Sequence, residues 1–133
     1  MSLEENKAVI RRVIEEIINQ GKLDAIDELF APTFVDRSTP EQAPGPEGVR
    51  QFVSAVRADF PDLSIRIDDV IAEDDKVVVR TTWQGTLRGI AAGSRSSGRQ
   101  VSSTMIQIFR LADGKLVEEW NEGGGLAQEC LPK

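Results

Sequence analysis
A chain of 133 residues with no histidine, no tyrosine, one cysteine and a net charge of −6 rules out more chemistry than it suggests. Without histidine there is no Ser-His-Asp or Cys-His nucleophile and no imidazole-held metal. With 16 Lys and Arg scattered among 22 Asp and Glu there is no basic stripe to release counterions from nucleic acid, so no nucleic-acid partner is expected.

The length fits a single domain over 1–133, enough to bury about two-thirds of the unfolded surface and still enclose a small cavity. The lone Cys130 fits a reducing compartment, and MSLEENKAVI contains no apolar run of signal-peptide or membrane-span length. A cytoplasmic protein with no membrane attachment is therefore expected.

In chain order, residues 2–19 read as a helix. Ser2 and Glu5 form a capping box, Val9, Ile10, Val13, Ile14, Ile17 and Ile18 recur on one face, and Gly21 stops it. KLDAIDELFA (22–31) reads as a second short helix ended by Pro32, and FVDRS as a brief extended piece within a proline-rich loop. Pro46 suits the first turn of a third helix that runs to Phe60-Pro61. Beyond Pro61 the pattern becomes extended: LSIRIDDVIA, KVVVRTTWQGTLRG, RQVSSTMIQIFRL and KLVEEWNE are four strands, the last two joined by a tight Asp113-Gly114 turn. Helices followed by a strand meander predict an α+β fold, with three N-terminal helices packed on the concave face of a curved, mostly antiparallel sheet.

The segments LFAPTFVDRS, PGPEGVRQFVSAVRADFPDLSIRIDDVIAEDDKVVVR, GTLRG with its loop to SSGRQV, and IFRLADGKLVEEW occur in an order and spacing that covers nearly the whole chain. Together they resemble the SnoaL-like polyketide cyclases of the nuclear-transport-factor-2-like superfamily. The resemblance implies a cone-shaped α+β barrel around an apolar pocket, no cofactor, and a homodimer formed through the exposed sheet face. It implies the activity of a polyketide cyclase or isomerase, abstracting a proton from a small apolar carbonyl compound. It also shows departures: the family's two histidines and its aspartate four residues after the tryptophan fall on Arg37, Leu87 and Gly124. The alternative function is therefore a non-catalytic small-molecule-binding or oligomerisation module that has lost the family's acid–base residues.

Glu122 lies two residues before the vacated aspartate position, on the same face of an extended strand, and is the candidate base. A two-residue Asp113-Gly114 turn would pair Gln107 with Trp120 and Met105 with Glu122; a bulge would turn this set away. Glu122 as solvated barrel rim is the competing reading. Arg37 is the candidate cation for a developing oxyanion, against a plain ion pair at the mouth; on an extended FVDRS at most one of Asp36 and Arg37 enters the cavity. Trp83, Leu87, Met105, Gln107, Trp120, Phe34 and Phe52 are the expected substrate-lining set, an apolar inventory with one amide. Of Glu118 and Glu119, which alternate faces, one is expected in solvent and the other paired with Arg110 or Arg80.

Overall fold
The computed structural model describes residues 2–87 and 98–123. The capping box forms as the sequence predicts: the Glu5 amide donates to Ser2 Oγ and the Ser2 amide to Glu5 Oε1, both at 3.1 Å. It opens α1 (Leu3–Arg12), which then widens into a π-helical segment (Val13–Asn19). The wider turn leaves Val13, Ile14, Ile17 and Ile18 all buried. Gly21, at φ 73°, reverses the chain in a conformation that costs glycine little. Two clamps hold this helix end: Arg57 Nη1 donates to the carbonyls of Ile18 and Asn19, each at 2.8 Å, and the Asn19 amide bonds both the N–H and the C=O of Ile65.

A single 3₁₀ turn (Leu23–Ala25) leads into α2 (Ile26–Leu29), and β1 (Phe30–Asp36) follows without a break. The expected second helix thus ends two residues early, and Phe30 and Ala31 belong to a strand. Pro32 does not disrupt it, because β1 lies at the sheet edge, where a missing N–H need not deprive a neighbour. Helix α3 (Gly45–Asp59) carries Pro46 in its first turn and ends at Phe60. The remaining strands are β2 (Ser64–Glu73), β3 (Lys76–Thr86), β4 (Gln100–Ala112) and β5 (Lys115–Glu122).

The five strands form one mixed sheet in the order β1-β5-β4-β3-β2, with β1 parallel to β5 and the other pairs antiparallel. The sheet curves without closing, its edges being β1 and β2. The helices cover its concave face, and the core between the layers includes Ile10, Ile26, Val53, Phe60, Val77 and Val79. On the convex face Ile71 and Ile106 remain exposed. Among the described residues no helix is long and apolar enough to cross a membrane.

The β4–β5 hairpin departs from the expected register. Asp113 and Gly114, at φ 53° and 78°, make the two-residue turn, and Ala112 faces Lys115 as anticipated. Leu111 then faces Leu116, but Arg110 faces Glu118: Val117 is an extra residue, a β-bulge. Every later pair is displaced by one, so Gln107 faces Asn121 and Ile108 faces Trp120. The expected Gln107–Trp120 and Met105–Glu122 pairs do not form.

Candidate active site
That one-residue displacement decides which side chains of β5 reach the interior. Glu119, Asn121 and Gly123 line a cavity of ≈ 530 Å³ between the helices and the concave face. Trp120 and Glu122 lie on the convex face, with Glu122 exposed. The volume suits a small organic molecule.

The cavity has an apolar end and a polar end. The π-helical segment gives Val13, Ile14, Ile17 and Ile18, and α3 gives Val49, Phe52 and Val53. The rings pack edge to face: Phe30 with Phe34 at 4.8 Å between centroids, and Phe52 with Trp83 at 6.5 Å. Trp83 is fixed by its indole N–H, which donates to Thr81 Oγ1 at 3.0 Å.

The polar end is built where β1 and β5 run parallel, with Asp36 in register with Glu119. Their carboxyl groups are joined through two amides. Asn121 Nδ2 donates to Asp36 Oδ1 and Oδ2 at 3.3 and 3.2 Å, while Gln107 Nε2 donates to Asn121 Oδ1 at 2.9 Å and to Glu119 Oε2 at 3.2 Å. Asp36 also accepts from the Ser38 amide at 2.9 Å. The Ser38 hydroxyl in turn clasps Asn121, accepting from its N–H at 2.8 Å and donating to its C=O at 3.3 Å, which draws the loop after β1 over the cavity.

Withdrawal from water, reinforced by the neighbouring Asp36 charge, pushes the Glu119 carboxyl from its ordinary 4.5 up to about 8; the amides of Asn121 and Gln107 offset part of this. Burial also raises Asp36 above its ordinary value, against the lowering effect of Ser38, Thr39 and Asn121. Glu119 is therefore mostly protonated at neutral pH, about one-tenth ionised at pH 7. A carboxyl group that exchanges its proton near physiological pH inside an apolar pocket is equipped for acid–base work.

Of the lining set expected from the sequence, Phe34, Phe52, Trp83, Met105 and Gln107 lie on the cavity. Leu87 instead packs into the buried core at the end of β3, and Trp120 is turned away by the bulge. Glu122 is carried to the convex face with Trp120. Arg37 is exposed and ion-paired, its Nε 2.8 Å from Glu118 Oε2, while Arg110 Nε takes Glu118 Oε1 at 2.6 Å. Its alternation with Asp36 holds as expected, and Asp36 is the one that enters. Glu118 is the member of its pair held by Arg110, leaving Glu119 for the pocket; the complementary charges of Arg110 and Glu118 are the one sequence signal for the true register. Gly124 and Cys130 lie outside the described residues. Among the described residues no three acidic or sulfur side chains gather to hold a metal ion.

Comparison with known proteins agrees with this architecture. The family model of the SnoaL-like polyketide cyclases matches residues 8–129, and the chain belongs to that family. Its fold is that of TsrD from Streptomyces laurentii, at TM-score 0.83 and 28% identity with 96% of each chain covered. It is also that of IdmH from Streptomyces antibioticus, a candidate polyketide cyclase, at TM-score 0.77 and 29% identity over 95% of this chain and 99% of that one. AclR from Streptomyces galilaeus, a candidate hydroxylase, is similar at TM-score 0.78 and 27% identity over 98% of this chain and 100% of that one. No protein of curated function matches.

Proposed function
We propose that this protein is an acid–base enzyme of the cyclase or isomerase type, moving a proton next to the carbonyl group of a small, largely apolar ring compound. Glu119 takes and returns the proton; burial, reinforced by the Asp36 charge, keeps it protonated until substrate arrives. Gln107 and Asn121 fix the two carboxyl groups relative to each other. The observation that carries this reading is the carboxyl pair at the polar end of an otherwise apolar cavity, one member having its proton affinity raised toward neutrality by burial. The aromatic wall of Phe34, Phe52 and Trp83 would hold the rings, and membership of the cyclase family supports a carbonyl substrate.

The test is hydrogen–deuterium exchange at the carbon next to the carbonyl of 1-tetralone, followed by NMR. Exchange is expected to be accelerated by the wild-type protein, with a rate that rises with pH and levels off above about 8. Glu119→Gln should lose about 10² to 10⁴ of that acceleration. Equal exchange by the wild type and the variant would refute Glu119 as the acid–base group.

A further inference from the structure
The cavity is unusually one-sided in what it can offer a ligand. Its titratable lining groups are Asp36 from β1, Glu41 from the loop after it, and Glu119 from β5. The lining side chains from the π-helical segment, α3, β3 and β4 carry no titratable group, and among the described residues no Lys or Arg lines the cavity. Arg37, next in sequence to Asp36, and Arg110 are committed to Glu118.

The donors are equally committed. Asn121 Nδ2 serves Asp36, Gln107 Nε2 serves Glu119 and Asn121, the Ser38 hydroxyl is bound to the Asn121 backbone, and the Trp83 indole N–H is given to Thr81. Thr39 also bonds Asp36. Among the described lining side chains, only the Gln42 amide and the proton of Glu119 remain for a ligand. An anion would meet, among these side chains, carboxyl groups with almost nothing to donate to it, whereas a cationic group would meet the carboxyl groups of Asp36 and Glu41 and aromatic faces. No lining cation among the described residues would steady an enolate formed here, and a positive charge arriving with the substrate would do so.

We propose that the polar end of this pocket receives a cationic, N–H-bearing group of an apolar ring compound, seated against Asp36. The substrate class is thus a ring compound with a basic nitrogen. This deepens the proposed function, and it rests on that reading's placing of the substrate in this cavity. It has a mechanistic consequence: a cation on Asp36 cancels the charge that helps keep Glu119 protonated, so binding itself lowers the proton affinity of Glu119. By linkage, a proton leaves as the ligand enters.

The test uses three probes of nearly identical shape, 2-naphthamidine (cation), 2-naphthamide (neutral) and 2-naphthoate (anion), titrated calorimetrically into the full chain. The amidinium should bind at least about tenfold more tightly than the amide, and the carboxylate at least about tenfold more weakly than the amide, as expected for charge-assisted against neutral hydrogen bonds. Asp36→Asn should collapse the amidinium-to-amide ratio to within about twofold. On the wild-type protein at pH 7, buffers of different ionisation enthalpy should reveal proton release with the amidinium and none with the amide. Equal affinities for amidinium and amide, tighter binding of the carboxylate, or amidinium binding without proton release would each overturn the proposal. Binding is read without turnover, so loss of the Glu119 proton-transfer role would show in the exchange assay and leave this affinity ranking untouched.

Discussion

Replacing Glu119 with glutamine should make the protein more stable in alkali while removing the proposed proton transfer. The folded chain holds the Glu119 proton up to about 8, whereas the same carboxyl in an unfolded chain releases it near 4.5. Across that window the native state binds more protons than the unfolded state, so stability falls as pH rises and levels off above the upper value. The slope is about 1.4 kcal/mol per pH unit for a fully retained proton, which over this window gives roughly 2–5 kcal/mol, a large part of a typical domain's stability. Glutamine keeps the shape and can still bond Gln107, but it has no charge to desolvate. Urea unfolding at pH 5, 7 and 9 reads the difference directly: the wild type should lose stability steadily over this range, and Glu119→Gln should lose much less. The variant should be nearly equal to wild type at pH 5 and ahead by the figure above at pH 9. Parallel curves for the two proteins would show that Glu119 is not held protonated, and the argument for its role would go with it.

Asp36→Asn removes the charge beside Glu119, so the midpoint of the pH–rate profile for ketone exchange should move to lower pH than the wild type's, as a full titration would record. Arg37→Ala and Glu122→Gln alter side chains outside the cavity, and the exchange rate of each should stay within about twofold of wild type, surface substitutions of this kind being nearly neutral. Gly48→Ala would drive a Cβ to 1.8 Å from the Ala43 carbonyl oxygen, so the loop must shift where it meets α3; a loss of roughly 1–3 kcal/mol should appear as a lowered melting temperature. Asn19→Leu leaves the N–H and C=O of Ile65 without their partner and should cost roughly 2–4 kcal/mol in chemical denaturation.

The layered α+β fold was legible because each of its main elements carries a local physical signature. The Ser2–Glu5 box, Pro46 in the first turn of α3, and Asp113-Gly114 between alternating runs each permit few conformations, and β5 occupies the expected residues 115–122. The start of β1 was hidden, since Leu29-Phe30-Ala31 is apolar without a period and only pairing with β5 makes part of it a strand. The π-helical widening of 13–19 leaves no mark in a pattern that an α-helix also satisfies. The wall of the pocket followed from the face alternation of the strands and the apolar face of α3, so Phe34, Phe52, Trp83, Met105 and Gln107 could be anticipated. The placement of the carboxyl pair could not, because it depends on Val117, a residue with no chemistry of its own. Only the attraction of Arg110 for Glu118, which requires that bulge, hinted at it.

Val117 also bears on how this protein should be matched to its relatives. A relative whose final hairpin has the same number of residues but pairs them without a bulge would present the opposite set of side chains to its interior, although a letter-by-letter correspondence would look undisturbed. Equivalence between active-site acids in such proteins has to be judged by superposing strands in space. Counting from the last tryptophan would pair a group inside one molecule with a group outside the other.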